Sequence, residues 1–478
     1  MTWHPAIGDM RGQLPRVGLI AALLVAAMTL GALGPTRPEM PSERWTHLAG
    51  REVMSADLVY RLGMALEEYS GALPIDLADR ARELIEEAVA SYERQALRRK
   101  PNPAAVYRLG VVYGHRGYRD QAERYLTAAA GMDEAGSDRY YALSEIYTPG
   151  DTPDGLATQL EHLAGRSGWL MDIALADGYA RIGDDAAAAA VLARQSERSR
   201  RFGANCAMLA TVAGALGIGG IVVIVWTLIR RGTTLPQPRA RLPFLVPWTL
   251  IDVAEIVAVL VFTMVLSGEV SVVLWTHWFK DVSGPLGQPL LLTAQYLVVA
   301  VVCLALVWRR VGSRSRGPLR SLGLRGKSAW RLIAIGVGGY ATFLGGLMLA
   351  TLALRGLFGD MMPLGQTADP LMASVDSKGE LVIYFVLACV LAPIFEEIVF
   401  RGYLYAGLRR LANPRQAMLM GGLIFAAVHM NSEALVIIAL IGVMLCYLYE
   451  RTRSLLPGMI AHGLHNALVL WVVTLQSM

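Results

Sequence analysis

Cysteine is scarce in this chain, with 4 residues among 478. The four lie in or beside apolar stretches, at Cys206, Cys303, Cys389 and Cys446. Residues 35–200 contain none, so disulfides play no part in the fold of that region, and cysteine usage does not indicate its compartment.

Charged residues are also few, at 17% of the chain against 54% hydrophobic residues, and they are unevenly distributed. Residues 35–200 carry 20 Lys+Arg against 26 Asp+Glu, a net charge of −6, whereas residues 201–478 carry 22 against 12, a net charge of +10. The basic excess lies in arginine clusters between apolar runs, which is the pattern of cytoplasmic membrane loops and not of a nucleic-acid surface. We therefore expect a lipid bilayer and no nucleic acid as partner.

The apolar runs predict membrane-spanning helices. They lie near residues 205–229, 243–267, 289–308, 332–354, 381–408, 416–430, 434–449 and 456–475. Arginine clusters follow every second run, so the topology places residues 35–200 outside the cytoplasm of a multi-pass protein of the cell (inner) membrane. A further run, Val17–Gly34, is either a signal anchor or a cleaved signal peptide.

Residues 35–200 show a repeat. Leu109, Leu143 and Leu175 each precede a tyrosine by four residues, so the unit recurs after 34 and then 32 residues. This is the period of a tetratricopeptide repeat, in which large residues of one helix fill notches beside small residues of the next. An ordinary helical bundle is the alternative. A repeat of this kind presents a concave face, so we expect protein partners to bind there.

The predicted fold class is therefore all-α. It combines a polytopic membrane helix bundle, with about eight C-terminal spans and an N-terminal signal anchor, with a soluble, TPR-like α-solenoid. The predicted domains are an anchor at 1–34, the extracytoplasmic helical domain at 35–200, a transmembrane helix with a basic linker at 201–242, and a second membrane domain at 243–478.

Polar residues occur inside three of the C-terminal apolar runs, where ionisable groups are costly and usually functional. At about 1.5 Å of rise per residue, Glu396 lies roughly 20 Å from Arg409 and His429 roughly 21 Å from Arg415. By the same measure, His462 and Asn466 lie roughly 14 and 20 Å from Arg453. We expect these groups to meet near the middle of the membrane, where a base, a group that holds water and oxyanion donors form a hydrolytic site. The pattern predicts an intramembrane protease.

The two adjacent acids have different predicted roles. Glu397 precedes Arg401 by four residues, the favourable order for a helical ion pair, so the arginine can neutralise it. On a helix of 3.6 residues per turn, Glu396 points about 100° away from the direction of Glu397. It therefore does not share the arginine and is available as general base. Phe425 lies one turn before His429 and is expected to support its ring. A purely structural ion cluster is the alternative.

At these residues the chain resembles the CPBP family of intramembrane proteases, which includes the type II CAAX prenyl endopeptidases and bacterial Abi proteins. The signatures Glu-Glu-x-x-x-Arg, Phe-x-x-x-His and His-x-x-x-Asn are all present, over roughly residues 243–478. The resemblance implies that Glu396 and His429 activate water and that His462 and Asn466 stabilise the oxyanion. It also implies membrane-associated protein or peptide substrates, from prenylated proteins to bacteriocin precursors.

The sequence does not decide whether the protein uses a metal cofactor. Glu396, His429 and His462 could hold Zn²⁺ with one position left for water. The preferred hypothesis is that no cofactor is needed. No HExxH helix is present, and zinc would occupy His462, one of the proposed oxyanion donors. A rhomboid-type serine mechanism is not expected, because no span carries Gly-x-Ser-Gly.

Two hypotheses from other functional classes are alternatives to the protease. One is a non-catalytic membrane scaffold or bacteriocin-immunity-type protein, which would use the repeats to bind partners. The other is a transporter, suggested by Asp252 and Glu255 in another span but supported by no inverted repeat.

Overall fold

The structure, a computed structural model, describes most of the chain. The described residues are 16, 19–26, 43–70, 77–99, 101–132, 137–153, 155–164, 168–231, 246–279, 286–315, 317–324, 328–358, 378–429, 431 and 434–477. Within these ranges the regular structure is entirely helical, without a strand. The predicted all-α fold class is therefore confirmed.

The chain divides into two compact units. The first, here called the N-terminal unit, comprises Arg37–Ala210, Asp369–Ser374 and Val472–Met478. The second, here called the membrane unit, comprises Met1–Thr36, Thr211–Ala368 and Val375–Trp471. The domain boundaries at residues 34, 200 and 242 stay predictions.

Successive short helices build the N-terminal unit. They are α1 (Glu43–Ser70), α2 (Ala78–Ala96), α3 (Pro103–His115), α4 (Arg119–Met132), α5 (Ser137–Tyr147), α6 (Leu156–Ala164), α7 (Trp169–Arg181) and the first part of α8 (Asp185–Arg231). Asn102 caps α3 by accepting a hydrogen bond from the Ala104 N–H at 3.0 Å. Gly117 and Gly183 end α3 and α7 with φ of +86° and +80°, a left-handed conformation that glycine adopts without steric cost.

The leucines of the predicted repeat lie in the core of this unit. Leu109, Leu143 and Leu175 are fully buried. Gly110 lies against Leu126 so closely that a β-carbon at residue 110 would overlap the leucine side chain. Such large-against-small packing agrees with the expected interlocking of paired helices. Helical bundles without a repeat also pack in this way, so the TPR-like α-solenoid stays a prediction.

The membrane unit contains helices that are mostly longer and more apolar than those of the N-terminal unit. They are the second part of α8, α9 (Leu250–Leu274), α10 (Gly287–Gly312), α11 (Pro318–Ser321), α12 (Ala329–Phe358), α13 (Lys378–Leu408), α14 (Pro414–Val428), α15 (Leu435–Thr452) and α16 (Leu456–Ser477). A π-helical turn, Trp275–Phe279, extends α9.

Seven helices of the described chain are long and apolar enough to cross a membrane, namely α8, α9, α10, α12, α13, α15 and α16. The protein is a multi-pass membrane protein. The span expected at 416–430 corresponds to α14, whose 15 residues measure about 23 Å, less than the roughly 30 Å of a hydrocarbon core. The expected signal anchor at 1–34 lies largely outside the described residues.

Helix α13 is irregular. Two π-helical segments, Val386–Leu391 and Glu397–Tyr405, alternate with α-helical turns. Pro393 follows the first π segment, and because it has no N–H it removes one helical hydrogen bond there. Glu396 is the last residue before the second π segment. Single π-helical turns are frequent at functional sites, because they change the direction in which the next side chains point.

Candidate active site

Glu397 and Arg401 form a fully buried ion pair in the second π segment of α13. Arg401 Nη1 lies 3.0 Å from Glu397 Oε1, an ion-pair contact whose angle is not that of a hydrogen bond. A second nitrogen of Arg401 donates to the Gly442 carbonyl oxygen at 3.3 Å. The space for the carboxylate exists because residue 458 is glycine, where a β-carbon would overlap Glu397 Oε2. The positive charge of Arg401 neutralises the negative charge of Glu397 inside the protein.

Glu396 points away from this pair and towards two histidines. Its Oε2 atom lies 3.9 Å from His429 Nε2 and 3.8 Å from His462 Nε2. Both distances exceed those of direct hydrogen bonds but suit a contact through one water molecule. Within the described part of the chain, Oε2 has no direct hydrogen-bond partner. The side chain is 13% exposed, so this oxygen lies in a largely enclosed position.

His429 follows the last residue of α14 and has one ring nitrogen committed to the backbone. Its Nδ1 lies 2.6 Å from the Phe425 carbonyl oxygen. A carbonyl oxygen only accepts hydrogen bonds, so Nδ1 carries a hydrogen. In the neutral ring Nε2 then presents a lone pair, and this is the nitrogen on the side of Glu396.

The ring of Phe425 lies at the centre of the site. It makes edge-to-face contacts with His429 at 4.6 Å and with His462 at 5.8 Å between ring centroids. The Arg401 guanidinium lies over the same ring, 4.2 Å from its centroid. One buried phenyl group therefore contacts both histidines and the cation of the ion pair. The expected contact with the His429 ring is present.

His462, on α16, lies between the two carboxylates. Its Nδ1 lies 3.3 Å from Glu397 Oε1, while its Nε2 is the nitrogen near Glu396. His465, on a neighbouring face of α16, instead has its Nδ1 3.3 Å from the Tyr340 hydroxyl and packs edge-to-face on that ring. These contacts are those of a packing residue.

Asn466 has a partner that the sequence did not indicate. Its Nδ2 donates to the Ala388 carbonyl oxygen at 2.7 Å. Ala388 lies in the first π segment, where the carbonyl of one residue bonds the N–H five residues later. That later residue is Pro393, which has no N–H. One of the two amide hydrogens of Asn466 therefore replaces a missing helical hydrogen bond.

Tyr296, on α10, contacts the site although no sequence motif included it. Its hydroxyl donates to Glu396 Oε1 at 3.1 Å. The sequence did indicate that Tyr296 lies at the depth of Glu396. Tyr296 precedes Arg309 by 13 residues, and Glu396 precedes Arg409 by the same number. The depth comparison that brought the other polar residues together applies equally to this tyrosine.

The two acids on α9 are engaged elsewhere. Asp252 lies 2.7 Å from Arg314, and Glu255 lies 2.6 Å from Arg310. Arg16 forms an ion pair with both acids. Three arginines thus neutralise the two carboxylates, which removes the observation that suggested a transporter.

The possible zinc ligands do not form a metal site as they are arranged. Tetrahedral zinc would hold Glu396, His429 and His462 at about 2.0–2.2 Å from the metal. The ligand atoms would then lie closer to one another than the 3.8 and 3.9 Å that separate Glu396 Oε2 from the Nε2 atoms of His462 and His429. In the described residues, no group of three or more His, Cys, Asp or Glu side chains is placed to hold a metal ion.

Comparison with known proteins identifies a match in the C-terminal part of the chain. Residues 378–468 match the family model described as Type II CAAX prenyl endopeptidase Rce1-like. This segment contains Glu396, His429, His462 and Asn466, whereas Tyr296 lies outside it. The resemblance drawn from the three motifs is confirmed for this part of the chain.

Two curated bacterial proteins are similar to the chain. "Putative membrane peptidase YdiL" of Bacillus subtilis (strain 168) is 26% identical over 106 residues, which are 22% of this chain and 43% of that protein. "UPF0177 protein YaiH" of Lactococcus lactis subsp. lactis (strain IL1403) is 33% identical over 88 residues, 18% of this chain and 36% of that protein. The chain thus spans less than half the length of either relative. No solved structure matches it significantly.

Proposed function

We propose that this protein is an intramembrane endopeptidase that hydrolyses peptide bonds of membrane-associated proteins with a water molecule activated by Glu396 and His429. One observation carries the proposal. A carboxylate oxygen of α13 lies within 4 Å of an imidazole nitrogen on each of two other segments, in a unit built of membrane-spanning helices. The match of residues 378–468 to a family of membrane endopeptidases supports the same reaction class.

In this proposal one water molecule donates hydrogen bonds to Glu396 Oε2 and His429 Nε2. The 3.9 Å between these atoms allows one water to lie about 2.8 Å from each. As the water oxygen bonds to the substrate carbonyl carbon, one proton passes to Glu396. Glu396 returns that proton to the amide nitrogen while the C–N bond breaks. The products are a carboxyl group and an amine, and Glu396 is again a carboxylate.

The oxyanion that forms on the substrate needs hydrogen-bond donors. A protonated His462 carries a hydrogen on each ring nitrogen, and Nδ1 faces Glu397 at 3.3 Å. Its Nε2–H is then available to the oxyanion. The amide hydrogen of Asn466 that Ala388 does not use is the second proposed donor. Glu397 and Arg401 act on the reaction only by holding His462 and Phe425 in place.

The proposed substrates are membrane-associated proteins. The matched family model is described by its action on CAAX prenyl proteins, so peptides with a prenylated cysteine near the C-terminus are the first probes. The alternative is a non-catalytic scaffold or bacteriocin-immunity-type protein, which would bind such a segment without cutting it. The N-terminal unit is proposed to bind protein partners in either case.

The decisive experiment uses the full-length protein in liposomes with a quenched fluorescent farnesylated peptide, and mass spectrometry of the products. We expect cleavage by the wild type and a loss of about 10²-fold or more in kcat for Glu396→Gln, which keeps the shape and removes the base. Glu87→Gln is the matched control, because it makes the same change at an exposed position on α2 of the N-terminal unit, which carries none of the site residues. Binding without cleavage by the wild type would favour the scaffold.

The proposed location is the inner membrane, with residues 35–200 outside the cytoplasm. The arginine clusters that follow alternate spans support this orientation. Reporter fusions test it: one placed after Arg200 should report an extracytoplasmic position and one placed after Arg316 a cytoplasmic position. The opposite pair of results would invert the topology.

A further inference from the structure

Glu396 uses its two carboxylate oxygens differently. Oε2 is the oxygen near His429 and His462, at 3.9 and 3.8 Å. Oε1 accepts a hydrogen bond from the Tyr296 hydroxyl at 3.1 Å. The two oxygens of a carboxylate lie in one plane, so holding one of them restricts the direction of the other. The contact with Tyr296 therefore bears directly on where Oε2 points.

The tyrosine itself is held against α13 by more than this one bond. Its ring meets the ring of Phe395 edge-to-face, with 5.6 Å between centroids and an interplanar angle of 88°. Its hydroxyl also lies 3.5 Å from the Ala392 carbonyl oxygen. Ala392, Phe395 and Glu396 belong to one α-helical turn of α13, so Tyr296 packs on the turn that carries the glutamate.

We propose that Tyr296 is a positioning residue for Glu396, which fixes Oε1 so that Oε2 faces the two histidines and the attacking water. This inference rests on the proposed function. It extends the site to α10, which lies outside the segment that matches the endopeptidase family model. Pre-organised groups of this kind contribute to catalysis because no reorientation is needed during the reaction.

A structural role would have a different signature. If Tyr296 only stabilised the packing of α10 on α13, removal of its hydroxyl would lower the melting temperature and leave kcat unchanged. If it orients Glu396, kcat falls while KM stays the same, because the orientation matters for the chemical step and not for substrate binding. The chain offers a matched control in Tyr403, a buried tyrosine of α13 whose hydroxyl has no hydrogen-bond partner within the described residues.

The experiment compares Tyr296→Phe, Tyr403→Phe and wild type as full-length proteins in liposomes, with the farnesylated peptide as probe. We expect kcat of Tyr296→Phe to fall about 10- to 100-fold, as for a misplaced catalytic group, with KM unchanged. Tyr403→Phe should keep both constants. A Tyr296→Phe protein with wild-type kcat overturns the inference and leaves the proposed function intact. A wild type that cleaves no probe overturns both.

A second measurement does not depend on activity. Melting temperatures of Tyr296→Phe, Glu396→Ala and the double variant form a double-mutant cycle. If the hydroxyl and the carboxylate interact, the double variant should lose less stability than the two single variants together. Additive losses would show that the two side chains do not interact, and would overturn the inference whatever the kinetics.

Discussion

Asn466 on α16 donates its side-chain amide to the carbonyl oxygen of Ala388 on α13 at 2.7 Å. That carbonyl lacks its helical partner because residue 393 is proline. A residue that the sequence predicted to be an oxyanion donor therefore also joins two helices of the site. Its two amide hydrogens allow both roles, since the backbone uses only one of them.

This relationship predicts that the cost of losing Asn466 depends on residue 393. Asn466→Ala leaves the Ala388 carbonyl without a donor, and we expect a loss of about 1–2 kcal/mol in unfolding free energy. Pro393→Ala restores an N–H, so the same asparagine variant should cost less in that background. Thermal unfolding of the two single variants and the double variant measures the difference. Equal losses in both backgrounds would contradict the proposed replacement of the helical bond.

The buried ion pair predicts a separation of stability from activity. Glu397→Ala or Arg401→Ala strands one charge at a fully buried position and should cost about 3–5 kcal/mol. Within the described residues Glu396 has no arginine partner, so Glu396→Gln should cost much less, while it lowers kcat by about 10²-fold or more. Melting temperatures in the same detergent decide the matter. Similar values for the three variants would argue against distinct roles for the two acids.

His115 makes the stability of the N-terminal unit depend on pH. Its Nδ1 lies 3.0 Å from Asp177 Oδ1, and this hydrogen bond raises the pKa of His115 above its usual value. A pKa raised in the folded state stabilises the protein below the unfolded pKa of about 6.5, and the effect is lost as pH rises through the folded pKa.

The expected difference between wild type and His115→Gln is therefore largest below about pH 6.5 and disappears at alkaline pH. The side chain is 46% exposed, so solvent screening should keep the effect under roughly 1 kcal/mol. Melting temperatures of the two proteins between pH 5.5 and 9 measure it. A difference that grows with rising pH would reverse the assigned sign.

The proposed binding role of the N-terminal unit predicts an effect on KM. Deletion of residues 40–200, with a spanning anchor retained, should raise KM for a full-length protein substrate and hardly change cleavage of a short peptide. A distant binding module contributes effective concentration and not transition-state stabilisation. An equal loss of kcat on the short peptide would show that the unit supports the fold of the membrane unit instead.

Much of the site could be predicted from the sequence. Apolar runs bounded by arginine clusters predicted the helices, and the distances along those helices brought Glu396, His429 and Asn466 to one level, with His462 about one helical turn away. The four-residue spacing of Glu397 and Arg401 predicted their ion pair. These inferences succeeded because hydrophobic run length, helical rise and residue spacing are local properties of the chain.

Other features depended on how the helices pack. The sequence predicted an apolar run at 416–430 where α14 extends from Pro414 to Val428, and it marked Asp252 and Glu255 as candidate functional acids although Arg310 and Arg314 neutralise them. It placed Tyr296 in an apolar run without indicating that its hydroxyl reaches Glu396.

Contacts between helices are set by the rotation and register of each helix against its neighbours. In α13 that rotation changes at two π-helical segments, which hydrophobic periodicity does not reveal. The sequence by itself determined which polar groups lie at the same depth in the membrane. The tertiary structure decided which of them face each other, because a side chain's direction around its helix depends on backbone hydrogen bonds and on packing from distant parts of the chain.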